Sequence, residues 1–271
     1  MGKVNVTAGA VFERHEGKYL LTGNQYKVLF ERLQEYMLPD EYGLHTISSV
    51  YYDTDEFDII RHSLEKPSYK EKLRLRSYGT PGEADTVFLE LKKKCGGITY
   101  KRRVPLPLRE AERYMQLGEF PHETGQIFYE INWMVNRYNP AAKVVLSYDR
   151  LALYGREDSE LRITFDANIR WRNDNLSLSE GSYGRLLIGE GERLMEIKTL
   201  KTLPYWLSAL LSELKIYPVS FSKYGRVYQT HLAMAAAQSG PESVLVFPPA
   251  KAGRAGGLFA AMPKPKHAVQ R

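Results

Sequence analysis

The run Phe88-Leu89-Glu90-Leu91-Lys92-Lys93-Lys94 constrains this chain more than any other stretch. Successive side chains of a strand point to opposite faces, so Leu89 and Leu91 share one face while Glu90 and Lys92 share the other. The same form recurs at Leu73-Arg74-Leu75-Arg76, Leu161-Arg162-Ile163 and Met195-Glu196-Ile197-Lys198. One such strand points its charges at bulk water. Several together give a sheet with one apolar face and one face dense in Arg, Lys and Glu. That second face is either solvated or curled into a charged tunnel. We read a tunnel, and its natural guest is a chain of phosphates.

At 271 residues the chain suits one large domain or two small ones, and 43% apolar content supports a real core. The formal charge of +6 is a mild bias towards a polyanionic partner. The single cysteine, Cys95, excludes an intrachain disulfide and fits a reducing compartment. Met1 to Glu16 has no apolar core of signal-peptide length, and no run reaches the roughly 18 apolar residues of a membrane helix. The expectation is a cytoplasmic chain whose attachment to a membrane would need a membrane-protein partner.

In chain order, residues 1–10 read as a flexible start and Phe12 to Leu21 as a first strand. Gly23 to about Met37 has helical spacing. Thr46 to Asp53 reads as a strand and Asp55 to Arg61 as a short helix. Lys70 to Tyr78, Thr86 to Lys94 and Ile98 to Leu106 follow as antiparallel strands, with Thr80-Pro81-Gly82 and Gly96-Gly97 as turns. Helices are predicted near Leu108 to Leu117 and Gly125 to Tyr138. Strands resume at Lys143 to Leu153, Glu160 to Asp166 and Arg193 to Leu200. Asn173 to Gly184 reads as a mobile loop and Pro204 to Lys215 as a helix. Ser222 can cap a last helix running to about Ala237. The tunnel domain is thus expected over 11–238. From Gln238 onward periodicity vanishes, and 239–271 reads as a disordered tail. The class is α+β: a charged β-barrel tunnel of about eight strands, which removes sheet edges, flanked by helices.

By parity or local pattern the charged face holds Lys18, Arg74, Arg76, Lys92, Lys101, Arg103, Arg150, Arg162, Lys198 and Lys223. Glu16, Glu90, Asp166 and Glu196 stand among them. Crowded cations repel each other in a poorly solvated tunnel. A bound polyphosphate offsets that repulsion, and Arg grips phosphate through paired hydrogen bonds. A triphosphate travels with a divalent cation, which needs few protein ligands. Glu196 is the first candidate to hold it, with Glu90 and Glu16 behind.

Other chemistries have weaker support. The chain has no Walker-type loop ending in Gly-Lys-Ser/Thr and no Rossmann fingerprint after a strand. Its histidines lack zinc-site spacing. Cys95 beside three lysines could favour thiolate, yet a lone cysteine at a Gly-Gly turn is more often inert. Tyrosines could stack on RNA bases, but most fall at core spacing on strands, so no nucleic-acid partner is expected.

Glu16-Gly17-Lys18, Ser49-Val50-Tyr51-Tyr52-Asp53, Leu73-Arg74-Leu75-Arg76-Ser77-Tyr78 and Leu89-Glu90-Leu91-Lys92 occur in that order. Ser147-Tyr148-Asp149-Arg150, Leu161-Arg162-Ile163-Thr164-Phe165-Asp166, Met195-Glu196-Ile197-Lys198 and Phe221-Ser222-Lys223-Tyr224 continue the series. The ordered set, over roughly 11–230, resembles the VTC domain, the catalytic domain of the vacuolar transporter chaperone complex and its bacterial relatives. The resemblance implies the fold of the triphosphate tunnel metalloenzymes, an eight-stranded antiparallel barrel lined with charge. It implies polyphosphate synthesis from ATP. Lys18, Arg74, Arg76, Arg150, Arg162 and Lys223 would then bind the triphosphate and the growing inorganic polyphosphate. Lys92, Lys101 and Lys198 would add to the lining, as Arg103 does by parity, and Glu196 would hold Mn²⁺ or Mg²⁺. The phosphate-sensing SPX domain and membrane helices of the eukaryotic complex are outside the resemblance, so regulation and export are not carried over. Two alternatives stay open: a hydrolase of triphosphate or short polyphosphate, and a non-catalytic polyphosphate-binding module.

Overall fold

The computed structural model describes residues 15–122, 125–200 and 202–233. The expected loose start at 1–10 and tail at 239–271 lie outside the described residues. The strands in chain order are β1 (His15–Leu21), β2 (Met37–Pro39), β3 (His45–Asp53), β4 (Tyr69–Tyr78), β5 (Thr86–Cys95), β6 (Ile98–Pro107), β7 (Ala141–Gly155), β8 (Arg162–Arg172), β9 (Arg185–Leu186) and β10 (Arg193–Thr199). The helices are α1 (Gly23–Leu33), α2 (Asp58–Leu64), α3 (Leu108–Leu117), α4 (Gln126–Tyr138), α5 (Tyr205–Glu213) and α6 (Lys223–Val227).

The strands form one antiparallel ten-stranded sheet in the order β1-β10-β8-β7-β3-β4-β5-β6, with β2 paired to β7 and β9 to β8. The expected closed eight-stranded barrel is therefore corrected. Among the described residues β1 and β6 do not pair with each other, and the ladder stays open. The chemistry of the two edges explains this. The Val219 N–H donates to the Lys18 carbonyl at 2.7 Å, so the segment before α6 occupies part of the β1 edge. On β6, Pro105 and Pro107 have no N–H to offer a further strand, and exposed Lys101 discourages one.

The sheet still curls. Its convex side carries two apolar cores. Leu73, Leu75, Leu89, Leu91 and Val50 pack against α3 and α4 through Ala111, Phe128 and Ile131. Leu21, Ile163, Phe165, Met195 and Ile197 pack against α1 and α5 through Leu29, Leu33 and Leu207. The concave side holds the opposite parity. On β5, Leu89 and Leu91 are 0% exposed and the intervening Glu90 only 2%, so both faces of this strand are covered there, while Lys92 and Lys94 further along are exposed. Part of the concave side is apolar: Val144, Leu146, Ile169 and Trp171 meet Tyr224 and Val227 of α6, which fills that end.

A bulge arranges this division. Asn168 has φ 47°, and the β7–β8 register shifts between Ser147 and Asp149. Arg162, Thr164 and Asp166 thus share the concave face with Ile169 and Trp171, one residue out of simple alternation. The bulge also carries β8 beyond the expected Asp166 end.

Other expectations shift locally. The first helix stops at Leu33, and Met37 instead enters the short β2 beside Gly155. The residue before a proline is pushed from helical towards extended backbone, which fits Leu38 before Pro39. Residues 173–184, expected to be a mobile loop, are anchored. Leu178 is fully buried, and the Arg172 guanidinium donates to the carbonyls of Asn175, Ser177, Gly181 and Tyr183 at 2.8–3.2 Å. Ser222 caps α6 by accepting from the Gly225 N–H. That helix passes into a π-helical turn at Tyr228–Leu232, and the expected stretch to Ala237 leaves the described residues after 233.

Candidate anion-binding site

Strand parity sets the site. On β4, Lys72, Arg74 and Arg76 point into the concave side; Glu90 and Lys92 of β5 and Lys101 and Arg103 of β6 stand beside them in register. Glu90 gathers this half. Its Oε2 lies 2.7 Å from Arg74 and 3.9 Å from Arg76, and its Oε1 lies 2.5 Å from Arg103 and 2.9 Å from Lys101. Burial would push the Glu90 carboxyl up, but Arg74, Arg76 and Lys101 outweigh it and hold the group ionised well below the usual carboxylate range. Arg74 also donates to the Tyr51 hydroxyl at 3.2 Å, and Arg76 to the Tyr148 hydroxyl at 3.2 Å and Ser49 Oγ at 3.4 Å.

The other half is built on β7, β8, β10 and β1. Arg150 donates Nε and one terminal nitrogen to the two oxygens of Asp166 at 2.6 and 2.8 Å. Lys223 reaches the same carboxylate at 2.5 Å and sits 4.3 Å from the centre of the Tyr148 ring. Burial opposes ionisation of Asp166, yet Lys223 and Arg150 hold it at about 2. Lys18 lies 3.5 Å from Glu16 and 4.0 Å from Glu196, and Lys198 lies 2.7 Å from Glu196.

The residues before α6 join the halves. Lys18 Nζ donates to the Phe221 carbonyl at 3.1 Å, and Lys72 Nζ to Ser222 Oγ at 2.7 Å. β1 and β4 are far apart along the ladder, yet their lysines act on each other across the concave space. Burial first, then the charges of Lys18, Lys92 and Lys70, pull Lys72 down to about 8. The Tyr51 phenol is pushed up by burial but pulled lower overall by Arg74, Arg76 and Lys72.

The structure thus brings Lys18, Arg74, Arg76, Lys92, Lys101, Arg103, Arg150, Lys198, Lys223, Glu16, Glu90 and Glu196 onto one concave face, with Glu16, Lys92 and Lys101 exposed at its margin. Arg162 shares their face but is exposed at the rim and makes no ion pair among the described residues. Sequence reasoning missed Lys72, although it has the parity of Arg74 and Arg76. It also missed the supporting hydroxyls of Tyr51, Tyr148, Ser49 and Ser222, for which no charge pattern gave a signal.

Among the described residues no group of three or more His, Cys, Asp or Glu stands together as metal ligands. A hard cation completed by phosphate oxygens needs only one or two carboxylates. Glu196 and Glu16 fit that demand, since both approach the same Lys18 ammonium from adjacent strands. Glu90 does not fit, because cations already cover both of its oxygens.

This chain is 24% identical over 180 residues to vacuolar transporter chaperone complex subunit 4 of Trypanosoma cruzi, an alignment covering 55% of this chain and 22% of that protein. It is 26% identical over 167 residues to the subunit of the same name from Schizosaccharomyces pombe, covering 53% and 23%. The aligned stretch is thus under a quarter of either relative's length. Among solved structures, one described as an adenylyl cyclase from Hippeastrum with a dominant triphosphatase activity superposes with TM-score 0.48 and 16% identity, covering 80% of this chain and 95% of that one. One described as an adenylate cyclase from Bacillus halodurans gives TM-score 0.47 and 16% identity, covering 76% and 92%. No helix among the described residues is long and apolar enough to cross a membrane. The VTC domain model matches residues 13–232, which is most of the chain, and the protein belongs to the VTC domain family.

Proposed function

We propose that this chain is a metal-dependent polyphosphate polymerase that moves the γ-phosphoryl group of ATP onto the end of an inorganic polyphosphate chain. The observation that supports this best is the charged concave face. Its cations outnumber its acids, and two buried acids, Glu90 and Asp166, are spent on gathering those cations. Arg150 uses only part of its guanidinium on Asp166, which leaves an N–H for phosphate.

In this reading Lys18, Arg74, Arg76, Arg150, Arg162 and Lys223 bind and orient the triphosphate, and Lys92, Lys101, Arg103 and Lys198 line its path. A terminal phosphate oxygen of the chain attacks the γ-phosphorus in line, the bond to the bridging oxygen breaks, and ADP leaves. The attacking oxygen is already anionic, so no side-chain nucleophile or base is required. Catalysis is then alignment plus neutralisation of charge on the transferring group. Glu196, helped by Glu16, would hold Mn²⁺ or Mg²⁺, and such an ion supplies further charge neutralisation at the phosphate oxygens. Both curated relatives are named as subunits of a complex, and we extend that to this chain as a cytoplasmic catalyst working with a membrane-protein partner.

Purified protein incubated with ATP and Mn²⁺ tests the reading, with products sized on a gel. Long chains plus ADP are expected. Orthophosphate alone would make the site a hydrolase with water as acceptor, and no turnover would leave a binding module. Glu196→Gln is expected to abolish turnover; full activity in that variant would overturn the metal assignment.

A further inference from the structure

One part of the concave face is not explained by a triphosphate. Lys70 stands directly opposite Lys94 in the β4–β5 ladder, and Lys72 directly opposite Lys92. Lys92 in turn faces Lys101 on β6. Like charges placed directly across a ladder destabilise it. Lys101 is relieved by Glu90, but among the described residues no ion pair reaches Lys66, Lys70, Lys92 or Lys94. Glu71, next to Lys70, has the opposite parity and is buried under the convex side, where its carboxylate accepts from Tyr69, and Glu65, next to Lys66, lies 3.7 Å from His62. Burial pulls Lys70 below its ordinary value, and the charge of Lys94 across the ladder adds to the effect.

Lys70 lies six residues along β4 from Arg76, about 20 Å at the rise of a strand. A triphosphate seated at Arg74 and Arg76 does not span that distance. The row of cations continues past it to the Gly96-Gly97 turn. The bias is towards phosphate alone: the rings of Tyr69 and Tyr100, on which a nucleobase would stack, fall on the opposite parity from Lys70 and Lys94.

We propose that Lys70 and Lys94 form a second anion station, which holds the phosphates of a linear inorganic polyphosphate that extend beyond the three seated at Arg74 and Arg76. This rests on the concave face being a phosphate site, and it adds a direction: the chain runs along β4 and β5 towards their turn.

The test compares inorganic tripolyphosphate with long inorganic polyphosphate on the whole chain, by calorimetry over a range of salt. The perturbation is the double variant Lys70→Ala/Lys94→Ala. Removing opposed like charges should leave the ligand-free melting temperature unchanged or higher, which shows that the variant folds. Expected is a loss of about tenfold for the long chain with little change for tripolyphosphate, and a salt slope shallower by about 1.4 for two lost phosphate contacts. Equal losses for both ligands, or none for the long chain, would overturn the station. An oligonucleotide of matching charge that binds as tightly, and loses as much, would overturn its polyphosphate character. If wild type holds tripolyphosphate but gains nothing from greater length, only the second station falls. If it holds neither, the phosphate reading of the face falls with it.

Discussion

Lys72 gives the sharpest pH-dependent consequence of the site. It is enclosed, it donates to Ser222 Oγ at 2.7 Å, and burial with neighbouring lysines brings its ammonium to about 8. In the free protein it is then about nine-tenths charged at pH 7 and about one-tenth charged at pH 9. A triphosphate bound alongside favours the charged form and returns the group towards its ordinary range. Affinity should therefore fall about tenfold between pH 7 and pH 9 through this group alone, with uptake of nearly one proton per ligand at pH 9. The sign for stability is opposite. Because the folded value lies below the unfolded one, the unfolded chain binds more protons between about pH 8 and pH 10.5, and this group's contribution to stability rises with pH across that window. The assay is calorimetric titration with tripolyphosphate in two buffers of different ionisation enthalpy. Lys72→Arg keeps its charge throughout and subtracts any ionisation of the ligand itself. Equal proton uptake and equal pH slope in wild type and Lys72→Arg would refute the reasoning.

Glu90→Gln should destabilise the ligand-free protein by about 3 kcal/mol, the lower end for breaking a buried ion pair, because Lys101 and Arg103 keep some contact with water. Saturating tripolyphosphate should restore part of that loss; a variant melting at the wild-type temperature would show that Glu90 does not gather these cations. Thr164 faces Glu196 across the β8–β10 ladder, and its Oγ1 is buried with no hydrogen-bond partner among the described residues. Thr164→Val should leave the ligand-free melting temperature equal or higher yet weaken tripolyphosphate by about tenfold, the worth of one hydrogen bond to a charged group. Thr164→Ser should keep wild-type affinity, and unchanged binding in the valine variant would assign that hydroxyl no role.

Parity made much of this legible. Leu89 and Leu91 facing one core and Glu90 facing the other side follow from alternation alone, as do the inward positions of Arg74, Arg76, Lys92 and Glu196. Alternation does not report how far a sheet closes. That depends on edge chemistry, on Pro105 and Pro107 along β6 and on one hydrogen bond from Val219 to the β1 edge, contributed by a segment distant in sequence. The bulge at Asn168 was also hidden, because a positive φ at a single asparagine leaves no periodic trace. Lys72 was overlooked for a different reason: its run begins Lys70-Glu71-Lys72, where charge on both parities masks the alternation. The crowding of Glu90 was hidden because a carboxylate's sequence neighbours do not show how many cations converge on it from other strands. Arg172 was unreadable in the same way, since its partners are backbone carbonyls.

The central claim is that this concave face is built for a string of phosphates, and a thermal melt of the whole chain in tripolyphosphate, against sulfate at matched ionic strength, tests it most directly. At a hundred times the dissociation constant, linkage adds about 2.7 kcal/mol. For a folded unit of this size that is a rise of about 5–10 °C. The account predicts that rise with tripolyphosphate and not with sulfate; an unmoved melting temperature at millimolar tripolyphosphate would contradict it.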